Sequence, residues 1–453
     1  MRSWPANHSN PYISYNMSKL HLFMMSLCAA LCTQGVHAQC PRVLSLEDIY
    51  ALAEERSKTL QTGQAALSEA QQAVREARTA YLPDVEVSLA ASYLGNGTIL
   101  KRDFSEVQEA KMPHFGNNFA IKATQLVYAG GAVTNGIAMA RLKQEMAGAQ
   151  LAATRSRVRF LLTGYYLDLY KLQNTLKVYD KNIELAQIVI TDTKARNTAG
   201  VALQNDITRY ELRLKNLELA RKRVANAIDI LNYDLVTTLG LPEDTRIQPD
   251  TMQFVQSAPA CGLDYWQQMA KGQAHAVKLS AIEVEMGKCG EKIAKAERLP
   301  TVALTAANQL DGPITIEIPA INRNFNRWYV GVGITYKLSS LYKSNKSIRR
   351  AELNTELSRS RQNEVCEQTD LTIQADFTKY LESIDEVSTL EKNVQLARES
   401  YQVINNRYCN GIALVTDMLD AANAVLDAEL QLANAHIQVI FNHYKLKHTA
   451  GDL

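Results

Sequence analysis

The sequence predicts a mainly helical chain that carries a few β-strands belonging to a membrane barrel, and three observations predict it. Only 11 prolines and 21 glycines occur in 453 residues, so helix breakers are scarce and long helices are favoured. Four segments alternate apolar and polar residues with the period of two expected of strands with unlike faces. The whole pattern is written twice, which makes internal duplication the main organising signal.

The N-terminus reads as an export signal. Residues 1–16 look like sequence upstream of the natural start. Met17 to Ala38 carries one Lys, an apolar run through Leu31, then Val36 and Ala38 placed like the small residues before a cleavage site. Residues 1–38 are therefore expected to be absent from the mature chain. Gln39 stands where a lipoprotein signal prefers a small residue, which argues against acylation of Cys40; a disulfide between Cys40 and Cys261 stays open. No other stretch approaches the roughly 20 apolar residues of a membrane helix. Membrane insertion must use strands.

The first repeat spans 39–240. A charged, alanine-rich helix ends at Leu82-Pro83, because proline disfavours helical geometry in the residue before it. A strand over about 84–94 follows, with Val85, Val87, Leu89, Ala91 and Tyr93 alternating with Glu86, Ser88, Ala90 and Ser92. After a polar loop a second strand covers about 118–128, and a long helix runs from Val133 to a turn at Gly200. A shorter helix returns along it. A proline-rich linker, 241–262, leads to the second repeat, 263–453.

The second repeat switches from helix to strand at Leu299-Pro300 and continues with strands over about 300–310 and 327–338. In the last one, Trp328, Val330, Val332, Ile334, Tyr336 and Leu338 share one face, with Trp328 and Tyr336 near its ends. That suits a lipid band between aromatic girdles. From Tyr342 to the turn at Gly411 neither proline nor glycine interrupts, a rod on the order of 100 Å at 1.5 Å per residue. Phe377, Tyr380, Ile384, Val387, Val394, Ala397, Tyr401, Ile404 and Tyr408 fall on a three-four spacing and predict coiled-coil packing along it. Pro83 and Pro300 are thus helix-to-strand switches between water and lipid.

Four strands cannot close a barrel, for which about eight is the smallest number, and open edges are not tolerated in hydrocarbon. The strands must be shared between copies of the chain. With 49 Lys+Arg against 47 Asp+Glu, no basic excess points to nucleic acid. No catalytic or phosphate-binding motif is present. His436, His443 and His448 lack the spacing of a metal site, and no cofactor is implied.

Three segments carry a family resemblance: "LSLEDIYALAEERSKTLQTGQAALSEAQQAVREARTAYLPDVEVS", "GVGITYKLSS" leading into a long helix, and "NRYCNGIALVTDMLDAANAVLDAELQLANAHIQVIFNHYKLKHTAG". On these the chain resembles the outer membrane efflux protein family, the TolC-like channels, from about Leu44 to Leu453. The resemblance implies a homotrimer with a twelve-stranded outer membrane β-barrel continued by a periplasmic helical tunnel. It also implies a passive export duct that docks on a periplasmic adaptor (membrane fusion protein) and an inner-membrane transporter. The expectation from another class is a soluble periplasmic coiled-coil scaffold without a pore.

A tunnel needs a closed end, and the tip turns at Gly200 and Gly411 are the candidates. Asp417 and Asp420 are three apart and so share a helix face; lining a bore, they would form stacked carboxylate rings favouring cations. In "VTDMLDA" they match the constricted entrance of TolC-like channels, and Tyr408 matches an aromatic that holds such a tip shut. The bland alternative is that the aspartates favour the helix N-terminus electrostatically and that Tyr408 is a heptad core residue. Asp206 is the repeat-mate of Asp417 and is expected to pair with Arg209. Ala413 stands where some members carry an arginine, so a latch through that position is not expected.

Overall fold

The computed structural model describes residues 42–250 and 261–453. The export signal, Cys40 and residues 251–260 of the linker lie outside them.

The first repeat opens with strand β1 (Arg42–Leu44), α1 (Leu46–Arg56) and α2 (Lys58–Thr79). Ser45 starts α1 with a capping box, its Oγ accepting from the Asp48 N–H at 3.1 Å while Asp48 accepts from the Ser45 N–H at 3.0 Å. Strands β2 (Asp84–Tyr93), β3 (Gly97–Leu100), β4 (Val107–Ala110) and β5 (Phe115–Ala129) follow, then α3 (Ala132–Thr198), α4 (Gln204–Thr238) and β6 (Ile247–Pro249). The second repeat holds α5 (Leu263–Gln273), α6 (His275–Ala296), β7 (Thr301–Gly312), β8 (Phe325–Thr335), α7 (Ser340–Cys409) and α8 (Val415–Ala450). α5 and α6 start and stop 217 residues after α1 and α2, as Pro300 follows Pro83.

Two features depart from the sequence reading. The loop of the first repeat is not irregular: β3 and β4 form a hairpin. The linker is not a free connector over its first part, because β6 pairs in parallel with β1. That pairing closes a core of Leu44, Ile49, Leu162, Tyr166, Leu235 and Ile247 among α1, mid-α3 and the end of α4. The Tyr166 hydroxyl donates to the Leu44 carbonyl at 2.9 Å and accepts from the Asp250 N–H at 2.8 Å; burial pushes its pKa up to about 12. The second repeat has its own core, with Trp266 and Ala270 packed on Ile373, Leu446 and Ala450.

The main sheet has the order β2-β5-β7-β8, antiparallel throughout. Register puts Val87, Ile121 and Leu89, Phe119, Leu310 side by side, and Ala306 beside Val330 and Leu304 beside Val332. One face is therefore largely apolar. The other carries Glu86 opposite Lys122, then Thr305 opposite Gly331 and Gln309 opposite Arg327. β2 and β8 are edges without a partner strand among the described residues, and both are exposed along their whole length.

α3 and α7 contain 67 and 70 residues, about 100 Å each at 1.5 Å per residue. Along α7 the buried or half-buried stripe is Ile373, Asp376, Tyr380, Ser383, Val387, Leu390, Val394, Ala397, Tyr401, Ile404 and Tyr408. The expected stripe is corrected above Val387: Ile384 is exposed and Ser383 is buried instead. Ser383 Oγ donates to the Tyr380 carbonyl of its own helix at 2.7 Å. Asp376 takes the inward place next to Phe377 because it pairs with Lys445 at 2.8 Å and accepts from Thr449 Oγ1 at 2.8 Å, while Phe377 turns toward the Trp266 core.

Candidate functional site: the paired helical tips

Each long helix ends at a left-handed glycine, Gly200 with φ +78° and Gly411 with φ +73°. The Val201 N–H reaches back to the Arg196 carbonyl at 3.0 Å, and the Ile412 N–H to the Arg407 carbonyl at 2.9 Å. Both satisfy the open carbonyls of a helix end in the same way, so the two tips are copies of one motif.

Ile190 of α3, Tyr210 of α4, and Val415 and Met418 of α8 form a single buried cluster, with Tyr401, Ile404 and Tyr408 of α7 packed against it. The two hairpins therefore meet at their ends. Tyr408 is half-buried at this junction, which is the heptad-core placement. Above it sits Arg196, which the sequence reading missed. Its guanidinium lies 5.6 Å from the Tyr408 ring centroid, donates to the Cys409 carbonyl at 3.1 Å and bonds Asp192 Oδ2 at 2.7 Å. Asp192 pushes the arginine pKa up, keeping it charged. Arg213 adds a second tie, donating to the Leu419 carbonyl at 3.1 Å. The signal for Arg196 in the sequence was its position four residues before Gly200, and nothing local names its partner in the other repeat.

Asp417 and Asp420 are both exposed on α8, three residues apart. Asp417 Oδ2 also accepts from the Leu414 N–H at 3.1 Å, and Asp206 Oδ2 accepts from the Leu203 N–H at 3.1 Å. Each thus serves its helix N-terminus. The expected Asp206–Arg209 pair is corrected: among the described residues no ion pair joins them, because the Asp206 carboxylate is engaged by the backbone instead.

At the far end of the molecule, Trp328 lies within β8 and is 75% exposed, whereas the expected strand is corrected at its end: β8 stops at Thr335, so Tyr336, 42% exposed, and Leu338 stand beyond it. Pro83 and Pro300 stand in the short turns between α2 and β2 and between α6 and β7.

Comparison with known proteins agrees with this arrangement. The family model "Outer membrane efflux protein" matches residues 266–451. The chain is similar to the outer membrane protein TolC of Vibrio cholerae, 20% identical over 443 residues and covering 96% of each. It is also similar to TolC of Salmonella enteritidis, 21% identical over 69% of this chain, though the match spans only 65% of that protein. With TolC of Escherichia coli it spans 54% of the relative. The fold is that of the outer membrane protein VceC of Vibrio cholerae, with a TM-score of 0.74 at 16% identity, covering 90% of this chain and 96% of that one. The CmeC outer membrane channel of Campylobacter jejuni gives 0.71 at 12% identity, over 90% and 85%. The resemblance to the outer membrane efflux protein family read from the sequence is borne out.

Proposed function

We propose that this chain, similar in sequence and fold to outer membrane efflux proteins, is one protomer of a homotrimeric outer membrane channel-tunnel. Three copies of the four-stranded sheet make a twelve-stranded barrel in the lipid. α3, α4, α7 and α8 of each copy continue it as a tunnel through the periplasm. The protein is a passive duct for efflux or secretion substrates, supplied by an inner-membrane transporter through a periplasmic adaptor, and it performs no catalysis.

One observation carries this reading. The sheet exposes a largely apolar face, interrupted by Asn308 between Ile121 and Trp328, with Val85, Val87, Leu89, Trp328, Val330, Val332 and Ile334 all more than half exposed, and it has two open edges. Such a patch marks a membrane or protein interface, and an open edge in lipid must be paired. A soluble scaffold would leave all of it in water. At the tips, Asp417 and Asp420 supply the selectivity rings and Tyr408 helps hold the entrance shut; their exposure on the α8 face and their junction position support these roles. Asp206 adds less negative charge, with Arg209 beside it in sequence.

Single-channel recording of the purified protein in planar bilayers tests the proposal. Cation-preferring conductance supports it; a protein that stays dispersed without detergent and adds no conductance overturns it.

A further inference from the structure

The internal duplication leaves one helix short of a neighbour. α6 is wedged between two long helices: Gly287 lies against Thr355 of α7, where an added Cβ would meet Thr355 Oγ1 at 3.0 Å, and Cys289 Sγ contacts the Asn135 carbonyl of α3 at 3.1 Å. Its repeat-mate α2 has only the first of these contacts, with Gly63 and Leu67 facing Leu151 and Gly148 of α3. The face corresponding to Cys289 is bare. Ile282 and Cys289 are buried, whereas their mates 217 residues earlier, Ala65 and Gln72, are exposed.

The bare face has changed chemistry, and so has the surface it lacks. α6 presents Leu279, Ile282, Met286 and Ile293 along this stripe; α2 has Thr62, Ala65, Glu69 and Glu76 at the same places. α3 meets α6 through Asn135 and Met139, which lies against Gly290; α7, aligned through Tyr128 and Tyr336, has Lys343 and the half-buried Ser347 there, flanked by Lys346 and Arg350, and all three of these basic residues are exposed. A pair of uncharged surfaces has become an acidic one and a basic one together. None of these five charged side chains has an ion-pair partner among the described residues. Chain connectivity brings the two surfaces to opposite flanks: α2 runs into edge strand β2, and edge strand β8 runs into α7.

We infer that α2 of one copy docks against the first turns of α7 in the next, reproducing between chains the α6–α3 contact within a chain, with Glu69 and Glu76 facing Lys343, Lys346 and Arg350. The inference rests on the shared-barrel reading, since pairing of β8 with the next copy's β2 carries α7 to that copy's α2. The seam between subunits is thereby electrostatic where the seam within a subunit is uncharged. It weakens as salt screens it, while the intrachain contact does not.

Disulfide trapping tests the register. Gln72 and Lys343 are the mates of Cys289 and Asn135, and both are exposed, so Gln72→Cys with Lys343→Cys leaves the fold of each chain intact. Oxidation of the detergent-solubilised oligomer is expected to convert the monomer band on denaturing gels into linked dimers and trimers, with neither single variant doing so. A second variant pair tests the charge: Glu69→Lys with Glu76→Lys should lose the oligomer at moderate salt, and Lys346→Glu with Arg350→Glu should restore it. An intact, conducting oligomer that neither crosslinks nor responds to charge reversal overturns this seam and leaves the channel reading standing. A monomer stable without detergent overturns both.

Discussion

The Arg196 guanidinium sits over the Tyr408 ring and caps the Cys409 carbonyl, so a residue of the first repeat seals the helix end of the second. A cation at a helix C-terminus and over an aromatic face is favourable on both counts, by about 1 kcal/mol at such a partly exposed site. Arg196→Ala is expected to loosen the junction of the two tips and raise single-channel conductance. Arg196→Lys should keep the charge and recover only part of the effect, because a lysine cannot bond Asp192 and the carbonyl with the same planar fork. Conductance histograms of the three proteins check this.

Asp417 combines a helix-capping bond with an exposed charge, and the two are separable. Asp417→Asn can still accept from the Leu414 N–H but removes the charge, whereas Asp417→Ala loses both, at a cost of about 1 kcal/mol in helix stability. If the carboxylates select ions, Asp417→Asn with Asp420→Asn lowers cation preference in reversal-potential measurements and costs less thermal stability than Asp417→Ala with Asp420→Ala, because only the charge at the helix N-terminus is lost.

Position along β8 decides the cost of a charge. Val330 lies on the apolar face and Gly331 on the other. Val330→Arg should cost about 2–4 kcal/mol at mid-bilayer and reduce assembly into vesicles, followed by the heat-modified gel shift of folded barrels. Gly331→Asn should assemble normally.

Acid should weaken the packing of α8 against both repeats. His443 lies among Trp266, Tyr380 and Tyr444, and His448 stacks on Phe160 and bonds Ser156 Oγ at 2.8 Å. Burial lowers the pKa of both, with Lys447 adding to the effect at His443, and His275 and Arg157 at His448; Asp452 and Asp376 oppose it. The unfolded chain then binds more protons as pH falls through the ordinary histidine value near 6.5. Stability is full above that value and declines below it. The melting temperature should drop between pH 7.5 and 5.5, and by less in His443→Phe.

The strands and rods were legible because each carries its own local signal: alternation in Val85–Tyr93 and Trp328–Ile334, and the lack of breakers between Tyr342 and Gly411; the alternation runs on to Leu338, past the end of β8 at Thr335. What was not legible depends on distant partners. β1 and β6 are three residues each, and their pairing joins Arg42 to Ile247 across the whole first repeat. The β3–β4 hairpin encloses Lys101, Arg102 and Asp103, which read as plain loop. Asp376 takes a core position only because Lys445 and Thr449 arrive from α8. Arg196 finds its carbonyl 213 residues away. The spacing of the aspartates at the tip was legible, but their bonds to Leu203 and Leu414 came from the local backbone.

The central claim is that the sheet of one chain is an incomplete wall. Light scattering of the detergent-solubilised protein measures this directly, after the detergent contribution is subtracted. The account predicts a particle of three chains that disperses only with detergent; a stable one-chain particle in plain buffer would contradict it.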